Sequence, residues 1–242
     1  MFVWLLSQAK TRSTCHSGFM KNYLIIGGSH GITEALVQNL KNEAKLYCLC
    51  RSQVQGVEYI PFDVLKDELP MELLPEIIDG VVYAPGSINL KPFHLLKDED
   101  WENDWKLNVM GAVKVLRAVY PRLKKSSNPS VVLYSTVAVK KGMPYHASIA
   151  SSKAAIEGLT RSLAAEWAPL IRVNAIAPSL VETPLAAKLT ANAKVKEQSI
   201  EKHPLKRLGT SEDLARATQY LLTGDSAWVT GVVLAVDGGM SL

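Results

Sequence analysis

Gly27-Gly28-Ser29-His30-Gly31-Ile32-Thr33 follows an apolar, β-branched run and opens an amphipathic one. Glycines there allow a tight turn and bring a pyrophosphate close to backbone N–H groups at a helix N-terminus. Gly27, Ser29, His30, Gly31 and Ile32 are therefore candidate cofactor-binding residues, against the plainer reading of a strand-to-helix turn. His30 is a candidate to assist at the phosphate. Arg51 follows the second apolar run, where an acid would bind the ribose 2′-hydroxyl of NAD. An arginine can instead hold a 2′-phosphate as a charge-assisted fork. That favours NADP(H) over NAD(H), the competing reading being a solvated surface arginine. His146, with an ordinary imidazole pKa of about 6.5, is a candidate acid near neutrality. Ser135 and Thr136 both carry hydroxyls, but adjacent side chains on a strand point opposite ways, so one of the two can serve a given site.

The elements that must position these residues are readable from periodicity. Apolar runs at 23–26, 45–50, 57–62, 80–84, 130–135, 172–176 and 232–236 predict strands. Several are apolar on both faces, as parallel strands covered by helices require. Amphipathic stretches at 32–42, 100–124, 148–168 and 211–223 predict helices. In the second, Trp101, Trp105, Asn108, Ala112, Val115 and Val119 fall on one face. Ser211, Glu212 and Asp213 suit a helix start. The alternation predicts an α/β fold: one doubly wound, Rossmann-type parallel sheet of about seven strands, helices on both faces, ligand at the carboxyl ends of the strands. About seven residues separate the second and third strands, too few for a crossover helix. The segment 64–79, with Pro70 and Pro75, has room for no more than one broken helix.

From Tyr145 the chain reads Tyr145-His-Ala-Ser-Ile149-Ala-Ser-Ser-Lys153, continues through a helical pattern, then runs Arg172-Val-Asn-Ala-Ile-Ala-Pro178. This resembles the active-site helix and following strand of the short-chain dehydrogenase/reductase family. Trp105-Lys-Leu-Asn108, Tyr134-Ser135-Thr136, Pro204-Leu-Lys-Arg207-Leu-Gly209 and Val236-Asp237-Gly238-Gly239 extend the resemblance, which runs from about Lys21 to Leu242. The family's tetrad is Asn, Ser, Tyr, Lys. Here the resemblance places Asn108, Thr136 and Lys153, with Ile149 at the tyrosine. It implies that Lys153 hydrogen-bonds the nicotinamide ribose, that Asn108 holds a water linked to Lys153, and that Thr136 donates to a substrate carbonyl. It further implies that Asp63 and Val64 hold the adenine and that Ala84 and Gly86 line the nucleotide. Pro178, Val181 and Thr183 would form the loop beside the nicotinamide, with Val181 backbone facing the carboxamide.

The departures are specific. Ile26 and Thr33 replace a threonine and the last glycine of the phosphate turn, and Thr33 crowds the pyrophosphate. Tyr83-Ala84-Pro85-Gly86 replaces Asn-Asn-Ala-Gly. Ile149 cannot ionise, so another donor is needed. Tyr145 stands eight positions before Lys153; enoyl-thioester reductases, a branch of the family, use a tyrosine seven before. His146 occupies position seven. The donor candidates are Tyr145, with His146 or a water near Lys153 and Thr136 as alternatives. The resemblance thus implies an NADP(H)-dependent oxidoreductase acting on a carbonyl, an alcohol or an activated double bond. The alternative is a catalytically inactive or regulatory nicotinamide-binding homologue.

The chain has 242 residues, 48% hydrophobic and 21% charged. That suits one domain over 20–242, with residues 1–19 a disordered extension or, alternatively, a transit-like segment. A net charge of +4 is too mild to imply nucleic acid. Three cysteines make no disulfide framework, which points to a reducing, cytoplasmic setting. No metal set is apparent, and no apolar run approaches the ~20 residues of a membrane span. Expected partners are a small-molecule substrate and further copies of the chain, a tetramer or dimer as in relatives. The segment 185–206 is expected to form a lid, where Lys188, Lys194 and Lys196 are candidates to attract an acidic substrate, against the favoured reading of a solvated helix face.

Overall fold

A computed structural model describes residues 20–242; residues 1–19, and with them the expected extension, lie outside the described residues. Seven strands form one sheet: β1 (Lys21–Ile26), β2 (Ala44–Cys50), β3 (Glu58–Pro61), β4 (Gly80–Tyr83), β5 (Ser130–Tyr134), β6 (Arg172–Pro178) and β7 (Val233–Val236). Their order is β3-β2-β1-β4-β5-β6-β7, and every pairing is parallel. The chain reverses direction across the sheet between β1 and β4, which opens a crevice at the carboxyl ends of those strands.

Alternation along the strands supplies two cores. Leu24, Ile26, Leu49, Val81 and Leu133 pack on one face, against α3 (Gly111–Leu123) and α5 (Ala147–Trp167). Ile25, Cys48, Val82, Val132 and Ile176 pack on the other, against α1 (Ile32–Leu40) and α8 (Ser211–Leu222). Thr210 caps α8: its hydroxyl accepts from Asp213 N–H, while the Asp213 carboxylate accepts from Thr210 N–H.

Residues 51–57 join β2 to β3 without a helix. Parallel strands ordinarily need a longer crossover. Here β3 is short: Glu58 lies beside Tyr47 and Pro61 beside Cys50, so the link returns only three residues, about 10 Å. Between β3 and β4 the structure has one 3₁₀ turn, Met71–Leu73.

The helix expected at 100–124 is two helices. α2 (Asp98–Trp105) passes through a π turn at Lys106–Met110 into α3. A π turn adds a residue per turn and so rotates the side chains of α2 about the axis relative to those of α3. Asn108, Ala112, Val115 and Val119 are buried on one face as expected, but Trp105 is turned out and 46% exposed. The short α4 (Ala138–Lys141) comes after β5. After β6 the expected lid consists of a 3₁₀ turn at Pro184–Ala186, α6 (Ala187–Thr190) and α7 (Ala193–Lys202). Among the described residues no helix is long and apolar enough to cross a membrane, and no group of three metal-ligating side chains converges.

Candidate functional site

A cavity of about 430 Å³ opens at the carboxyl ends of β1, β4, β5 and β6. Its floor at one end is the glycine turn, where Gly27, His30, Gly31 and Ile32 line it. Gly27 and Gly31 have φ of 80° and 65°, a region that favours glycine. A Cβ on Gly31 would come within 3.2 Å of Thr183 Cγ2. Thr33 is buried, and its hydroxyl donates back to the Gly27 carbonyl at 3.0 Å, so this side chain ties the turn together. Ser29 stands off the wall, with its hydroxyl 2.8 Å from His30 Nδ1.

Arg51, Asp63 and Val64 do not line the cavity. Arg51 is exposed at the end of β2. The Asp63 carboxylate accepts from Leu65 N–H at 3.0 Å, closing its own turn. Val64 is buried in the core. Ala84 and Gly86, after β4, do line it, as do Pro178, Val181 and Thr183 after β6. That last loop is pinned to Gly209 by the Leu180 carbonyl and the Glu182 N–H, bonds that use neither the N–H nor the C=O of Val181.

The polar centre is built from the π turn, the loop after β4 and α5. Asn108 is buried; its Nδ2 donates to the Asp104 carbonyl at 2.8 Å and to Ser87 Oγ at 3.3 Å, while its Oδ1 has no partner. A Cβ placed on Gly86 would lie 3.8 Å from both Asn108 Oδ1 and Lys153 Nζ, so a lone acceptor and an ammonium converge there. Beneath them Asp104, 2% exposed, accepts 2.6 Å bonds from Ser87 Oγ and Ser148 Oγ. Burial pushes the Lys153 ammonium down to about 8, and the Asp104 carboxylate opposes that shift. One helical turn before Lys153, Ile149 presents an apolar side chain to the same cavity.

The two hydroxyls on β5's end divide. Both residues reach the wall, but Ser135 donates to the Glu157 carboxylate at 2.8 Å, whereas Thr136 Oγ1 accepts from Ala138 N–H and keeps its own hydrogen. Tyr145 corrects the expectation placed on it. Its backbone has φ of 69°, its side chain is 59% exposed, and it does not line the cavity. The left-handed turn throws the ring outward. His146 is on the wall instead; Nδ1–H donates to the Pro144 carbonyl at 2.7 Å, which leaves Nε2 uncommitted.

Two clusters escaped the sequence. Asp104 lies four residues before Asn108, a spacing that shares a helical face and signals burial, but nothing marked Ser87 and Ser148 as its partners. His203, 2% exposed at the end of α7, donates from Nδ1 to the Ser199 carbonyl at 2.6 Å and sits 2.8 Å from Ser179 Oγ through Nε2. Both residues of that pair line the cavity.

A family model described as enoyl-(acyl carrier protein) reductase matches residues 56–241. The chain belongs to the short-chain dehydrogenase/reductase family. It is 38% identical over 178 residues to the 3-oxoacyl-[acyl-carrier-protein] reductase FabG of Thermotoga maritima, covering 69% of this chain and 72% of that one. Among solved structures, ElxO with NADP bound superposes with a TM-score of 0.83 at 26% identity, covering 92% and 99%. The 3-ketoacyl-(acyl-carrier-protein) reductase of Brucella melitensis complexed with NADH gives 0.81 at 25%, covering 92% and 98%. These family members bind nicotinamide cofactors, and the described crevice of this chain has the family's sheet and layers.

Proposed function

We propose that this protein is an NADP(H)-dependent oxidoreductase working on a carbonyl, an alcohol or an activated double bond, with Ile149 where the family carries its tyrosine. The observation that supports it most is the convergence of Lys153 Nζ and the unpaired Asn108 Oδ1 on Gly86, beside a glycine turn suited to a pyrophosphate. A buried ammonium and an orphaned buried acceptor are costly unless a ligand or water completes them. When bound, the nicotinamide supplies or accepts the hydride. Lys153 holds the ribose hydroxyls, the loop of Pro178, Val181 and Thr183 orients the carboxamide, and the Thr136 hydroxyl donates to the substrate oxygen. The proton for that oxygen is assigned to a water between Lys153 and Asn108, with the protonated His146 ring, through Nε2–H, as the second candidate. Tyr145 faces away and has no part in the transfer.

The cofactor preference rests on Arg51 with Ser29 and His30, the polar groups around the end of β2 and the glycine turn. The reading extends to a cytoplasmic homo-oligomer, tetramer or dimer. Calorimetry tests the cofactor: NADPH binds more tightly than NADH, and Arg51→Ala loses about 1.5–3 kcal/mol for NADPH alone. Equal affinities, or an unchanged Arg51→Ala, contradict it. A second reading, a nicotinamide-binding protein without turnover, is favoured by one observation, the apolar Ile149 on the cavity wall.

A further inference from the structure

The part of the cavity beyond the nicotinamide loop has a definite chemical character. Leu90, Met143, Leu185, Leu189, Val195 and Met240 make it largely apolar, and no aspartate or glutamate lines any of it. Among the described residues its charged side chains are all basic, Tyr134 being a phenol. Three of them have work in the reading above: His30 belongs to the phosphate turn, Lys153 to the ribose, and His146 is the second candidate proton source. His203 is committed at both ring nitrogens. Lys202 remains. Among the described residues its side chain makes no ion pair or hydrogen bond, although it is the last residue of α7 and reaches the wall. The neighbouring lysines are not equivalent. Lys206 pairs with Glu201, Lys196 pairs with Glu182, and Lys188, Lys194 and Lys196 do not line the cavity. Those three stay off the wall, as a solvated helix face requires, and Lys202 is the lysine of this segment that reaches it.

Resting on the oxidoreductase reading, we propose that the substrate is an apolar molecule carrying a carboxylate, its hydrocarbon body between the lid and Met143 and its anionic end held by Lys202. An apolar wall discriminates weakly between bodies of similar size, whereas a carboxylate facing the Lys202 ammonium, with no aspartate or glutamate among the described lining residues, gains a charge-assisted bond that a neutral analogue lacks. The absence of acidic side chains works in the same direction, since a like charge on the wall would repel the ligand.

Binding, rather than turnover, decides this. Octanoate and 4-phenylbutanoate, with octanamide and 4-phenylbutanamide as neutral partners, are titrated into the full-length protein with and without NADPH. At least one acid binds about tenfold or more tightly than its amide. Lys202→Met removes most of that preference and leaves the amide unchanged, and added salt weakens it, because Lys202 is exposed. Equal affinity of acids and amides overturns the proposal, as does a preference that survives Lys202→Met. So does failure of both acids to bind at millimolar concentration. NADPH titration in the same samples reports separately on the oxidoreductase reading, so failure of one is distinguishable from failure of the other.

Discussion

Lys153 sits against Ile149 with its ammonium stripped of water, and burial lowers its pKa from 10.5 to about 8. Unfolded, the lysine keeps its proton up to about pH 10.5; folded, it releases it near 8. Between those values the unfolded chain binds the extra proton, so this group's contribution to stability rises with pH, by on the order of 3 kcal/mol across the window. Below about pH 8 both states are charged and the fold carries the full penalty. Lys153→Met removes the slope. Urea midpoints at pH 7 and pH 10 should therefore show wild type gaining on Lys153→Met at the higher pH; a constant difference contradicts the placement of this charge. Cavity-lining residues that belong to a local pattern are legible from sequence: the glycine turn, Lys153, and the Ser135–Thr136 pair, which the structure separates by the Glu157 bond. Tyr145 defeats such a reading because sequence spacing says nothing about the positive φ that turns it out. The His203–Ser179 contact spans 24 positions and two loops, and no periodicity encodes such a meeting.

The π turn between α2 and α3 explains a second departure from the family. Tyr83, at the end of β4 where the resemblance has an asparagine, donates its hydroxyl to the Leu107 carbonyl at 2.6 Å. The widened turn contains both that carbonyl and Asn108. Strand and helix are thus braced by a phenol rather than an amide, and Gly111 supplies the space: a Cβ there would stand 2.1 Å from Tyr83 Oη. Tyr83→Phe leaves a carbonyl unpaired and should cost about 1–3 kcal/mol in denaturant unfolding. Gly111→Ala should cost more alone, and the double substitution less than the sum, since removing the hydroxyl relieves the contact. Strict additivity would argue against this coupling. Helix periodicity reads 100–124 as one helix and misses the turn within it, because one inserted residue rotates the pattern without breaking its apolar character.

At the scale of the molecule, seven strands and their parallel pairing are written in the alternation of apolar runs and amphipathic stretches, and the missing helix between β2 and β3 in a simple residue count. What the sequence does not convey is the cavity's asymmetry: a glycine turn at one end, a largely apolar wall reached by Lys202 at the other, and an isoleucine between them. A cavity that joins Lys153 and Asn108 with the apolar Ile149 fits either the proposed oxidoreductase with another proton source or a binding protein. Isotope transfer separates them. The enzyme is incubated with NADPH deuterated at the nicotinamide C4 and a panel of apolar oxo-acids, ketones and enoyl thioesters, and product deuterium is measured by mass spectrometry. Wild type is expected to transfer deuterium to at least one oxo-acid, and Tyr145→Phe to do so equally well. No transfer by wild type to any member of the panel, with transfer appearing in Ile149→Tyr, would contradict the oxidoreductase reading.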